Sequence, residues 1–209
     1  MLLRLGLLSL LIAVSSPQRA AAAALAPMPM PTAPAIEARN WILIDFASGQ
    51  TLAESQADQK IEPASLTKLM SAYVIFNALR DGRLKLAEQV LISEHAWRAE
   101  GSRTFVQVGT RVPVEVLLKG MIVQSGNDAT IALAERVGGS EPAFVQMMNA
   151  WAQRLGMNGT RFVDASGLPS PSHYSPVQWE VAVHSMRIKA GLTGDDARTI
   201  TEFMKSASR

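Results

Sequence analysis

The segment Pro63-Ala64-Ser65-Leu66-Thr67-Lys68 places a hydroxyl group and an amine three residues apart. Pro63 suits the first turn of a helix, where its missing N–H would have no partner. Residues three apart share a helix face, so Ser65 and Lys68 are predicted to meet. A serine becomes a nucleophile when a base removes its proton, and a lysine whose pKa is lowered by desolvation can be that base. This spacing indicates nucleophilic catalysis, although a capping serine beside a solvated lysine is its commoner origin.

A second polar segment, Ser125-Gly126-Asn127, lies between two apolar stretches. Its serine offers a hydroxyl that can relay a proton, and its asparagine offers an amide that can bind both a lysine and a substrate carbonyl. The structural alternative is an interhelical turn in which Ser or Asn caps the next helix. Its position after Ser65 and Lys68, with apolar helices between, favours the catalytic interpretation.

The elements around these residues follow from apolar spacing and turn residues. Residues 41–46 and 51–54 are predicted to form a hairpin around Ala47-Ser48-Gly49-Gln50. After Pro63, a helix is predicted to bury one stripe. The members of this stripe are Leu66, Leu69, Met70, Tyr73, Val74, Phe76 and Leu79.

Beyond Gly82 the pattern predicts short extended pieces at 86–93 and 104–108. Three helices are then predicted, at 112–123, at 128–137 and from Glu141-Pro142 to about 155, and they resemble an all-helical lobe beside a sheet. The methionines of these helices, Met121, Met147 and Met148, are predicted to be core residues rather than a cofactor site.

The N-terminus has the pattern of a secretory signal peptide over residues 1–24. Arg4 supplies the positive start, residues 5–14 an apolar core and residues 15–24 a small-residue end. Cleavage is expected near Ala24, and an uncleaved N-terminal anchor is the alternative. Residues 25–37, rich in Pro and Met, are predicted to be an extended spacer.

Composition excludes several classes of protein. Removal of residues 1–24 takes away Arg4 and Arg19 and no acid, so 20 basic and 18 acidic residues become 18 and 18. This neutral balance argues against a nucleic-acid surface. The sequence contains no cysteine, so neither disulfides nor thiol catalysis are available. His95, His173 and His184 have no metal-ligand spacing and are expected to be surface or loop residues, so no metal or other cofactor is predicted.

The two motifs belong to a longer resemblance. The sequence resembles the low-molecular-mass penicillin-binding proteins, and more narrowly the serine-type D-alanyl-D-alanine carboxypeptidases of peptidase family S11, over residues 38–175. The segments that carry this resemblance lie at 38–45, 61–70, 101–103, 118–129, 155–157, 164–169 and 173–175. They include the Ser-x-x-Lys and Ser-x-Asn motifs of penicillin-binding proteins.

The resemblance implies a mixed α/β (α+β) fold of the penicillin-binding and β-lactamase-like transpeptidase type, with an antiparallel sheet beside an all-helical lobe. It implies that Ser65 attacks the bond between the last two D-alanines of a peptidoglycan stem peptide and forms an acyl-enzyme. Lys68 would be the base, Ser125 the proton relay, and Asn127 would hold Lys68 and bind the substrate. β-Lactam antibiotics would acylate the same serine, and the location would be the periplasm.

The family's third motif, Lys-Thr-Gly, is missing from the sequence, and Gly191-Leu192-Thr193-Gly194 lacks its lysine. The resemblance stops at Ser175, so residues 176–209 are expected to be a divergent tail of a truncated or frameshifted chain, with an incomplete sheet and no membrane-anchor helix. Activity is therefore in doubt, and a non-catalytic fragment that at most binds peptidoglycan is the alternative. A β-lactamase fits poorly, because Gly126 stands where that class would have Asp.

Overall fold

The computed structural model describes residues 37–45 and 47–176. The predicted signal peptide, all but the last residue of the spacer, and all but the first residue of the tail lie outside the described residues. His184 and the Gly191–Gly194 segment lie outside them too.

The described chain alternates short strands with helices. The strands are β1 (Trp41–Ile44), β2 (Thr51–Ser55), β3 (Lys60–Ile61), β4 (Gln89–Leu91), β5 (Arg111–Pro113) and β6 (Ser175–Pro176). A 3-10 turn covers Ala64–Leu66. The helices are α1 (Thr67–Arg80), α2 (Glu94–Trp97), α3 (Val114–Val123), α4 (Asn127–Gly138) and α5 (Glu141–Arg154).

The strands form three separate antiparallel pairs in the described part of the chain: β1 with β2, β3 with β6, and β4 with β5. The first pair is the predicted hairpin, and its turn is closed by Ser48, whose N–H and hydroxyl both donate to the Asp45 carboxylate. The predicted extended piece at 104–108 was wrong. The backbone N–H groups of Thr104 and Val106 donate to the Asp128 carboxylate instead of to a neighbouring strand, and β4 pairs with β5.

The helical lobe was predicted correctly and forms the core. Helix α4 lies at its centre and packs against α1, α3 and α5. All residues from Asn127 to Ala134 are buried, so the first two turns of α4 meet protein on every side. Core side chains from the other elements include Met70, Val74, Ile75, Leu117, Leu118, Met121, Phe144, Met148 and Phe162.

The stripe predicted for α1 was wrong at its first two positions. Leu66 and Leu69 are each 42% exposed, whereas the polar residues Thr67, Lys68 and Ser71 are buried. Counting apolar residues alone misplaced this face, because three of the buried positions near the start of α1 are polar and have hydrogen-bond partners inside the protein.

Among the described residues, no helix has the length and apolar character needed to cross a membrane.

Candidate active site

Ser65 lies in the 3-10 turn that leads into α1, and its side chain is exposed. Ala64, just before it, has a φ of +47°, which is uncommon for a residue with a Cβ. Pro63 is buried beneath the turn. The chain therefore turns sharply before α1, from the buried Pro63 to the exposed Ser65. The Ser65 hydroxyl lies at the surface, where another molecule can reach it.

Lys68 lies on the buried side of the same turn and is 6% exposed. Its Nζ donates to Ser65 Oγ at 3.2 Å and to the Ser166 carbonyl at 2.8 Å. Burial lowers the pKa of Lys68 from 10.5 to about 8, against the opposing charge of Asp164, which raises it. With this pKa, roughly one Lys68 amine in ten is neutral at pH 7, so the residue can accept a proton from Ser65.

Ser125 reaches the same hydroxyl from the segment between α3 and α4. Its Oγ donates to Ser65 Oγ at 3.0 Å, although the two residues are sixty apart in the sequence. Ser125 has a φ of +56°, in the left-handed region that favours glycine. Ser65 Oγ thus lies between an amine and a second hydroxyl, as a serine nucleophile with a base and a proton relay requires.

Asn127, the first residue of α4, is 5% exposed. Its Nδ2 donates to the Glu100 carbonyl at 2.6 Å, and it makes no hydrogen bond to Lys68. Its Oδ1 is buried without a hydrogen-bond partner among the described residues. A buried acceptor without a partner costs stability.

The loop of residues 100–104 lies against the Ser125–Asn127 segment and supports it. Ser102 contributes twice, because its carbonyl accepts from Asn127 N at 2.7 Å and its hydroxyl donates to the Gln124 carbonyl at 2.6 Å. The fully buried Asp128 accepts from both the N–H and the hydroxyl of Thr104 at 2.8 Å. Burial raises the pKa of Asp128, but these and further backbone hydrogen bonds lower it by more, so the carboxylate stays ionised.

A second loop, residues 164–168, closes the buried side of the site and is called the site loop below. Asp164 Oδ1 accepts from the N–H groups of Ser166 and Gly167 at 2.7 and 2.6 Å, and this fold aims the Ser166 carbonyl at Lys68. Burial raises the pKa of Asp164, but hydrogen bonds from His173 and from these N–H groups lower it to about 2. The carboxylate is therefore negative at neutral pH.

His173 packs against the site loop and is 2% exposed. Its Nδ1 lies 2.9 Å from Asp164 Oδ2, and its Nε2 lies 2.8 Å from Thr67 Oγ1. The histidines were expected to be surface or loop residues: His95 is exposed, and His173 lies in a loop, although the sequence did not predict its burial. A single histidine in a polar stretch gives no sign of burial when one of its partners, Thr67, is 106 residues away.

The structure brings Lys68 Nζ and Ser125 Oγ each within hydrogen-bonding distance of Ser65 Oγ, and Asn127 follows two residues after Ser125 as the first residue of α4. Sequence reasoning gave no role to Thr67, Asp164 or His173. All three residues lie in segments that carry the family resemblance. The sequence does contain one sign of such a pair, because the carboxylate of Asp164 and the imidazole of His173 are only nine residues apart.

Comparison with known proteins matches residues 28–193 to the family model of D-alanyl-D-alanine carboxypeptidases, peptidase family S11. This match covers more than half of the sequence. The chain belongs to the D-alanyl-D-alanine carboxypeptidase family. The resemblance inferred from the motifs is thereby confirmed, and residues 28–193 extend past both limits of the 38–175 segment on which it was based.

Relatives in this carboxypeptidase family are similar over most of the described residues. The D-alanyl-D-alanine carboxypeptidase DacC of Escherichia coli K12 is 46% identical over 149 residues, which make up 68% of this chain and 37% of the relative. DacA of Haemophilus influenzae is 42% identical over 147 residues, 69% of this chain and 37% of that protein. The chain thus spans little more than a third of the length of these curated relatives.

Solved structures confirm the fold class. Penicillin-binding protein 5 from Haemophilus influenzae superposes with a TM-score of 0.73 at 38% identity, covering 78% of this chain and 48% of that one. The carboxypeptidase DacD from Francisella tularensis gives 0.71 at 37% identity, covering 74% and 38%. The chain has the mixed α/β penicillin-binding fold, with short antiparallel strand pairs and an incomplete sheet in its described part.

Within residues 37–45 and 47–176, no group of three or more His, Asp or Glu side chains is arranged to hold a metal ion.

Proposed function

We propose that this chain carries the acylation site of a serine-type D-Ala-D-Ala carboxypeptidase. Ser65 is the nucleophile, Lys68 the base, Ser125 the proton relay, and Asn127 a substrate-binding residue. The observation that carries the proposal is the contact of Ser65 Oγ with both Lys68 Nζ and Ser125 Oγ. The substrate is a peptidoglycan stem peptide that ends in D-Ala-D-Ala, and β-lactams are alternative acylating agents.

The proposed reaction begins with neutral Lys68. Lys68 Nζ takes the Ser65 proton while Ser65 Oγ forms a bond to the carbonyl carbon of the penultimate D-alanine. The C–N bond breaks, the proton passes from Lys68 through the Ser125 hydroxyl to the leaving amine, and D-alanine departs. Water then hydrolyses the ester on Ser65 and restores the hydroxyl. The Ser65 backbone N–H, close to the start of α1, is a candidate donor to the oxyanion.

Asn127 has a separate proposed role. Its Nδ2 donates to the Glu100 carbonyl and its Oδ1 is buried without a partner among the described residues, so we infer that peptide binding must first open access to this acceptor. An amide N–H of the stem peptide would supply the missing hydrogen bond and fix the scissile carbonyl above Ser65. Asn127→Asp would retain an acceptor but lose the Nδ2 donor and add a buried charge.

Labelling with a fluorescent penicillin tests the proposal directly. The purified chain is incubated beside a full-length relative, and we expect a covalent band that is absent in Ser65→Ala. Circular dichroism and thermal unfolding show whether each sample is folded. A folded chain that takes no label, while the full-length relative does, would contradict the proposed acylation.

A specific sequence feature favours a second candidate. The 209 residues contain no Lys-Thr-Gly triplet, which the resemblance assigns to binding of the substrate carboxylate. A non-catalytic chain that binds peptidoglycan would sediment with cell-wall sacculi equally well as wild type and as Ser65→Ala. If neither wild type nor Ser65→Ala sediments with the sacculi, this candidate is excluded.

The domain organisation and location also stay proposals. Residues 1–24 are proposed to direct export to the periplasm, residues 25–37 to be a spacer, residues 38–175 to be the partial catalytic domain and residues 176–209 a divergent tail. Expression in a Gram-negative host followed by osmotic release and intact-mass analysis should give a mature chain that begins at Leu25. A full-length mass in the cytosolic fraction would contradict the export signal.

A further inference from the structure

A chain of buried hydrogen bonds joins the site loop to the start of α1. Asp164 is ionised and can only accept, so the hydrogen between Asp164 Oδ2 and His173 Nδ1, 2.9 Å apart, lies on the imidazole. In the neutral imidazole, Nε2 then accepts from the Thr67 hydroxyl at 2.8 Å. The resulting order is carboxylate, imidazole and hydroxyl.

This order is that of a hydrolytic triad, but Thr67 cannot be a nucleophile. Its side chain is completely buried, and its hydroxyl is hydrogen-bonded to the imidazole. No substrate carbonyl can approach it without unfolding of the turn that carries Ser65. The three residues therefore do something other than attack a substrate.

Their positions show what they connect. Thr67 precedes Lys68 on α1, and its hydroxyl is bound to the imidazole. On the other side, Asp164 folds the site loop so that the Ser166 carbonyl meets Lys68 Nζ at 2.8 Å. The same carboxylate thus governs two contacts, one with the amine of Lys68 and one, through His173, with the residue next to it.

We propose that Asp164 and His173 are positioning residues that clamp the site loop to Thr67 and thereby hold the Lys68 amine against the Ser65 hydroxyl. The inference rests on the proposed role of Lys68 as the base for Ser65. It gives a role to Thr67, Asp164 and His173, which the Ser-x-x-Lys and Ser-x-Asn motifs leave without one.

The charges around Lys68 give the clamp a measurable signature. From the site loop, Asp164 presents a carboxylate with the titratable His173 beside it. From the turns before α1 and α4, Ser65 and Ser125 present hydroxyls. Burial lowers the pKa of Lys68 and the Asp164 charge raises it, so removal of this charge moves the pKa of Lys68 further below 8.

The first test compares Thr67→Val with Thr67→Ser, which differ in the hydroxyl that binds His173. Time-resolved acylation by a fluorescent penicillin separates the binding constant from the acylation rate constant. We expect Thr67→Val to lower the rate constant about tenfold with little change in binding, because the base is misplaced. Thr67→Ser should retain the wild-type rate constant. Equal rate constants in Thr67→Val and wild type would overturn the inference.

The second test does not require activity. In wild type, ¹⁵N spectra of the histidine rings should show the Nδ1–H tautomer for His173. In Asp164→Asn, the site-loop N–H groups hold the amide oxygen, so the amide NH₂ faces His173 and shifts it to the Nε2–H tautomer. The ¹³C titration of the Lys68 ε-carbon, assigned by its loss in Lys68→Met, should move to lower pH in Asp164→Asn and stay in place in Thr67→Ser.

These readouts separate the two proposals. A folded wild type that is never acylated contradicts the proposed function, and the tautomer and the Lys68 titration then decide the inference alone. An Nε2–H tautomer in wild type, or an unchanged Lys68 titration in folded Asp164→Asn, would overturn it. If thermal unfolding shows that Asp164→Asn does not fold, the Thr67 pair and the wild-type tautomer decide the inference.

Discussion

Gly167 lies so close to the carbonyl of Ala64 that a Cβ on Gly167 would be 1.8 Å from the Ala64 oxygen. The same Cβ would be 2.8 Å from Thr67 Oγ1. Gly167 also has a φ of +89°, which an L side chain rarely adopts. The site loop and the turn that carries Ser65 are therefore in backbone contact, and only glycine fits between them.

Gly167→Ala is predicted to separate the site loop from the Ser65 turn. The new methyl group must displace the backbone of Ala64, so we expect a loss of roughly 2 kcal/mol or more in the free energy of unfolding. Penicillin labelling should fall at the same time, because Ser65 and the Ser166 carbonyl move apart. Urea denaturation and acylation kinetics measure the two effects.

The matched control for this variant is Gly139→Ala at the end of α4. Gly139 has a similar φ of +80°, but nothing lies within 4 Å of a Cβ built on it. It should lose only the conformational term of about 1 kcal/mol and keep full labelling. Equal losses in the two variants would show that the contact between Gly167 and Ala64 is unimportant.

Lys68→Met is predicted to remove a pH dependence of stability. Folding lowers the pKa of Lys68 from 10.5 to about 8, so between these values the unfolded chain binds the additional proton and stability rises with pH. The shift corresponds to roughly 3 kcal/mol, a penalty that is fully present below pH 8. Wild type should therefore gain stability relative to Lys68→Met from pH 8 to 10.5, although the variant cannot be acylated.

Denaturant titrations of both proteins at several pH values measure this difference. Lys119→Met serves as the control, because Lys119 is partly exposed and paired with Glu115 at 2.8 Å on the surface of α3. Its stability should follow that of wild type across the same range. A wild-type curve parallel to that of Lys68→Met would mean that Lys68 is charged in the folded protein up to its ordinary pKa.

Asp128→Asn is predicted to loosen the loop of residues 100–104. The Asp128 carboxylate accepts from Thr104 through one oxygen and from Val106 N at 3.3 Å through the other. The amide would place an NH₂ against one of these donors, so we expect a loss of about 1–3 kcal/mol in the free energy of unfolding. Because the pKa of Asp128 is lowered by folding, its contribution disappears as the pH falls through that pKa, and the two proteins should converge in acid.

Asn127 makes a second readout available for Asp128→Asn. Gly101 lies against Asn127, since a Cβ on Gly101 would be 2.9 Å from Asn127 Nδ2. A displaced loop should therefore weaken penicillin binding as well as stability. Wild-type labelling in a destabilised Asp128→Asn would show that the loop affects folding only.

The sequence predicted the helices well and the site in part. Apolar spacing located α3 and α5, because their buried residues are all apolar. It also located α4, whose buried residues from Ile131 to Ala134 are apolar although Asn127, Asp128 and Thr130 before them are polar. It failed at Leu66 and Leu69, since the buried face of α1 begins with polar residues whose partners are distant in the sequence. Thr67 bonds to His173, 106 residues away, and Ser71 bonds to the Ala165 carbonyl, 94 residues away. Such pairs leave no periodic signal.

The last prediction concerns Ser125. Its backbone conformation is unfavourable for stability, whereas its hydroxyl is proposed to be needed for the reaction. Its φ of +56° favours glycine, whereas its Oγ donates to Ser65 Oγ at 3.0 Å. Ser125→Gly and Ser125→Ala both remove the hydroxyl. The left-handed backbone conformation is unfavourable for alanine but not for glycine. We expect Ser125→Gly to be more stable than Ser125→Ala by about 1 kcal/mol, and both to be acylated much more slowly than wild type. Equal stability of the two variants would mean that this backbone conformation costs nothing, and wild-type acylation in either would exclude Ser125 as the relay.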